Sequence, residues 1–137
     1  MGQQQLLLLV IGILVVAVAV MAGFYAMETH FKQSLADNLI DRNLSIATDA
    51  VFWKTKRDPF WGGNAKYTGL AADGMQTLFL GEETKIGIFK ITKATDTKLE
   101  ITAVAKQYPE IGVRTYITDY SIDSTVISYV GDIVITP

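Results

Sequence analysis

His30 is the only histidine in a chain of 137 residues that has no cysteine. There is no thiolate nucleophile and no cysteine-based zinc site, and any histidine-dependent catalysis would have to use this one imidazole. No HExxH, GxSxG, phosphate-binding glycine loop or EF-hand pattern occurs, and the acidic pair Glu82-Glu83 stands alone beside Gly81. A Ser-His-Asp arrangement would have to draw His30 from a segment one turn beyond a long apolar run, far from any strand able to present Ser or Asp. The expectation is a protein that is not an enzyme, with no cofactor and no metal. Asn43-Leu44-Ser45 spells a glycosylation sequon inside a helical stretch, where sequons are often unused. A net charge of -2 offers no basic field for phosphates, so no nucleic acid partner is expected.

The chain's strongest signal is structural. Leu6 to Met27 runs for 22 residues without one charged side chain, and thirteen of them are Leu, Ile, Val or Phe. As a helix the run is roughly 33 Å long, against a hydrocarbon core of about 30 Å. Summed insertion energies reach about -4 to -8 kcal/mol. A cleaved secretory signal fits less well, because nothing basic precedes Leu6 and the run exceeds the usual apolar core. Leu6 also occupies the position where a myristoylation signal needs Ser or Thr.

Helical patterning continues past the run. Phe31, Leu35, Leu39, Leu44, Ala47 and Val51 recur at spacings near three and four, with Glu28, Lys32, Asp37, Asp41, Arg42 and Asp49 between them. No proline precedes Pro59, which predicts a single helix from about Gln4 to about Lys56, with Gly12 and Gly23 as points of bending. The proline, followed by Gly62-Gly63, ends it. Near alternation then predicts strands through Ile86, Ile88 and Ile91, through Leu99, Ile101, Ala103 and Ala105, and through Ile111, Val113, Thr115 and Ile117, with a last strand pair around Ser121 to Thr136. Short breaks at residues 94–97 and 107–110 favour antiparallel hairpins. The expected fold class is α+β: a long N-terminal helix, hydrophobic then amphipathic, packed against a small C-terminal antiparallel sheet. Its parts are a hydrophobic helix half over 1–27, an amphipathic continuation over 28–57 and a β-rich head over 58–137.

This architecture, together with Met1-Gly2-Gln3-Gln4-Gln5-Leu6-Leu7-Leu8-Leu9-Val10-Ile11-Gly12-Ile13-Leu14, resembles the type IV pilin family over about the first fifty residues. The resemblance implies prepilin peptidase cleavage between Gly2 and Gln3. The family's basic leader is missing, which leaves two readings: numbering that begins inside a longer precursor, or a mature chain that starts at Met1 or Gln3. Where many bacterial relatives carry a glutamate at the fifth mature position, this chain has Gln5 or, on the other register, Leu7. An amide there can hydrogen-bond without the cost of burying an ion. The family's helix-breaking proline is absent as well.

What the resemblance implies is a subunit that leaves the cytoplasmic membrane through pilus assembly machinery and polymerises with copies of itself into an extracellular filament for adhesion, motility or surface contact. Gln5, Leu9, Gly12, Ala19, Ala22, Gly23 and Ala26 are the helix-packing candidates. Ala19 with Gly23 and Ala22 with Ala26 have small-xxx-small spacing. Phe52, Trp53, Phe60 and Trp61 sit where helix meets head, as inter-subunit anchors or as the head's own core. The competing reading is a single-pass membrane anchor displaying a binding domain, or a secretion-system pseudopilin.

Overall fold

The structure, a computed structural model, describes residues 2–58, 60 and 62–135. It is α+β: one long N-terminal helix, α1 (Gly2–Thr55), packed against a four-stranded antiparallel sheet. The chain forms two compact units, Met1–Ser34 and Leu35–Pro137, so α1 contributes to both.

Within the second unit, the helix buries Ala36, Leu39, Asn43, Ile46, Ala47, Ala50 and Lys54. Apart from the adjacent pair Ile46 and Ala47, their steps of three and four follow the 3.6-residue turn, which puts them on one face. The sequence pattern placed Phe31, Leu44 and Val51 in this stripe. Leu44 and Val51 are half-buried at its flank, and Phe31 is exposed. The line that points at the sheet instead carries two polar residues, Asn43 and Lys54, which no hydrophobic count would select.

After the helix come a 3₁₀ turn (Thr68–Leu70), the short helix α2 (Gly74–Thr77) and strands β1 (Gly87–Ala94), β2 (Lys98–Ala105), β3 (Gly112–Thr118) and β4 (Ser121–Ser128), in spatial order β1-β2-β3-β4. Phe89, Ile91, Leu99, Ile101, Ala103, Ala105, Val113, Thr115 and Ile117 alternate along the strands and are all buried on the helix side. Ile86 and Ile88 stay exposed, because Phe89 and Ile91 take the inward phase of β1. Among the described residues, one strand follows Tyr120 where a strand pair is expected. Residues 129–135 lie outside any strand, and Ile133 covers Gly112 so closely that a Cβ there would come within 2.7 Å of it. That closeness favours glycine at 112.

The helix ends by handing its carbonyls to the loop that follows. Trp53 O accepts from Gly63 N at 3.0 Å, Lys54 O from Ala65 N at 2.9 Å and Lys56 O from Asn64 N at 3.1 Å. The left-handed backbone of this loop falls on Asn64 and Ala65 and not on the glycine pair. Gly63 serves close approach instead, since a Cβ would come within 2.7 Å of the Trp53 ring.

Candidate assembly surface on the N-terminal helix

Residues 2–34 belong to one compact unit, and every one is exposed except the half-buried Lys32. The most apolar 18-residue window of α1 has a mean hydropathy of 3.1 with none of it buried, so α1 is long and apolar enough to cross a membrane. Leu6 is 65% exposed and Tyr25 74%. Such a surface is unstable in water and needs lipid or protein around it. Charge returns only at Glu28, which pairs with Lys32 one turn on at 3.3 Å.

At the helix's angular step, Gln5, Leu9, Gly12, Ala19, Ala22, Gly23 and Ala26 fall within one arc of about 140°. Gln5, Gly12, Ala19 and Ala26 recur every seven residues, which keeps them on a slowly drifting seam. Leu7, Leu14 and Met21 form a second seven-residue series, roughly 200° away from the first. Gly12, Ala19, Ala22, Gly23 and Ala26 therefore make a shallow seam, flanked in its N-terminal half by Leu8, Val15 and Val16, and the opposite side is built mainly of large side chains. A Cβ added at Gly12 or Gly23 meets nothing within 4 Å. Around Gly12 the missing side chain leaves a groove of about 420 Å³ lined by Leu8, Leu9, Ile13 and Val16. Gly2 and Gln3 stand exposed in the first turn.

The aromatic candidates divide. Phe52 is 63% exposed and Phe60 87% exposed, whereas Trp53 is in the head's core. Trp61 lies outside the described residues. Phe79, which the sequence did not single out, is exposed beside Phe52, and the two help line a groove of about 370 Å³. Its backbone is left-handed, at φ 58°, a conformation unusual for a bulky residue and invisible in composition.

The polar residues of the head do structural work. Asn43 Nδ2 donates to Thr115 Oγ1 at 3.3 Å, pinning helix to sheet inside the core. Full burial takes the Asn43 sequon out of reach of a glycosylating enzyme once the head has folded. Lys54 is 2% exposed; its Nζ donates to Asp119 O at 3.2 Å and lies 4.4 and 4.5 Å from the ring centres of Tyr67 and Tyr120. The Tyr67 hydroxyl donates to the same carbonyl, and burial, with smaller contributions from Tyr120 and Asp119, pushes its pKa up to about 12. His30 is exposed, and no group of three metal-ligating side chains occurs among the described residues.

The chain matches no protein-family model, no curated protein and no solved structure.

Proposed function

We propose that this chain is the structural subunit of an extracellular filament of the type IV pilus kind, polymerising through the apolar part of α1. The observation that carries the proposal is the pairing of two complementary faces on one exposed apolar helix. The shallow seam of Gln5, Gly12, Ala19 and Ala26 suits the large side chains of the Leu7, Leu14 and Met21 series on another copy. A contact between two different surfaces of identical subunits repeats without closing, and so builds a helix of unlimited length. The dry interior of such a bundle gives the helix the same two things lipid gives it, exclusion of water and contact for every methyl group.

Co-expression with a type IV pilus assembly system should yield extracellular filaments composed of this chain, visible by electron microscopy. An Ala19→Leu, Gly23→Leu double variant fills the shallow face and should abolish filaments while the protein still inserts into membranes. Protein that stays monomeric in the membrane even as wild type would make the chain a single-pass anchor for the head. Filaments unaffected by the double substitution would remove the seam from the assembly contact.

A further inference from the structure

The sheet's outer face, turned away from α1, carries an arrangement unrelated to the helix. Lys93, Glu100, Tyr116 and Ser124 are consecutive cross-strand partners and form one row across all four strands. Lys98, Thr118 and Ser121 form the next row. On both sides of these rows the pairing is broken at the same level: β1 bulges between Ile91 and Lys93, and β4 shifts register opposite Tyr116 and Ile117, leaving Asp123 outside the ladder. Bulges twist a strand and re-aim its side chains. Here they flank a cleft of about 210 Å³, lined by Lys93 and Lys98 at the β1–β2 end, by Tyr116 and Thr118, and by Asp123 from β4.

Glu100 is held from the side. Its Oε1 accepts from Thr92 Oγ1 at 2.9 Å and pairs with Arg114 Nε at 3.1 Å, so its charge is already matched. The lysines are left as the cationic wall of the cleft, and both are exposed.

We propose that this cleft binds a hexuronate, a single sugar ring bearing one carboxylate. The volume is below the roughly 300–1,000 Å³ of sites for larger ligands, which limits the occupant to about one ring. Two ammonium groups receive its carboxylate. Asp123, the Tyr116 phenol and the Thr118 hydroxyl supply the mixed donors and acceptors that ring hydroxyls need. A doubly charged phosphate is disfavoured by the Asp123 carboxylate nearby. The site resides in the head and does not depend on polymerisation.

The test is calorimetric and NMR titration of the full-length chain in detergent micelles with galacturonate, galactose, acetate and glycine. Galacturonate should bind alone among the four, with shifts of the residue 93, 98, 116 and 123 signals. A Lys93→Gln, Lys98→Gln variant should weaken it about tenfold or more, and Tyr116→Phe should weaken it by a smaller factor. These positions are at the surface or half-buried, and an unchanged amide spectrum shows that each variant is folded. Galactose or glycine binding as tightly, acetate producing the same shifts, or affinity unchanged in the double lysine variant would each overturn the assignment. So would the absence of galacturonate binding at tens of millimolar, a range above about 1 mM where even weak sites fill.

Discussion

Lys54 reaches the head's interior because its long stem can lie along the helix while the ammonium finds a carbonyl and two aromatic faces. Its carboxylate neighbour Asp119 is 3.8 Å away and largely solvated, so the ion pair itself adds little. Lys54→Ala should destabilise the head by about 2–4 kcal/mol in urea unfolding followed by tryptophan fluorescence, and Lys54→Met by about half as much, because the stem keeps its packing. Tyr67 gives a pH signature. Its folded pKa of about 12 exceeds the usual value near 10, so the neutral phenol favours the folded state. That stability is complete below about pH 10 and is lost as pH rises toward 12, amounting to about 2–3 kcal/mol. Urea midpoints should fall over this window more steeply for wild type than for Tyr67→Phe. Asn43 and Thr115 form a third residue-scale case. Thr115→Val strands a buried amide and should cost about 1–3 kcal/mol, while adding Asn43→Leu should recover most of it, because two apolar partners leave no unmet donor.

At the scale of elements, the junction between α1 and the head depends on a loop that folds back to satisfy the helix's last carbonyls. Gly63→Ala would drive a methyl into both the Lys66 carbonyl, at 2.5 Å, and the Trp53 ring. The loop must move, breaking the bond from Gly63 N to Trp53 O, at a cost of about 1–3 kcal/mol. Hydrogen exchange should show faster opening at Gly63 and Ala65 in that variant, with the sheet amides unchanged. The two sheet edges differ. β1 is partly covered by residues 82–84, through the bridge between Glu83 and Ile88 and the bond from Phe89 N to Glu82 O at 2.6 Å. β4 leaves Ile122 and Ile127 more than a third exposed on the helix side of the sheet. Its bulge and Asp123 interrupt the regular edge that another strand would need.

For the whole molecule, the proposed assembly depends on which side of the apolar helix is shallow. Gly12→Leu removes the groove at that level and should suppress filament formation, whereas Val20→Leu, away from both seven-residue series, should leave it intact. Both substitutions keep the segment apolar, so membrane insertion should match wild type in a fractionation assay. Equal loss of filaments in the two variants would mean that helix volume in general, and not the shallow seam, controls packing.

Residue types and their spacing carry the class of every segment but the last, where a strand pair is expected and a single strand, β4, forms. An uncharged run of 22 residues is long enough for a helix that crosses lipid, and alternation of β-branched residues between short breaks favours hairpins. The sequence also contained the seven-residue recurrence of Gln5, Gly12, Ala19 and Ala26, because helical periodicity is a local property. Long-range packing set the phase of each element and the neighbours of each side chain. It turned Asn43 and Lys54 inward, chose Phe89 over Ile88, buried Trp53 while leaving Phe52 exposed, and aligned two bulges on either side of the Glu100 and Tyr116 pair. These outcomes depend on partners tens of residues away in the chain. Asn43 and Lys54 enter the core where the Thr115 hydroxyl and the Asp119 carbonyl offer them hydrogen bonds, and no local pattern carries that information.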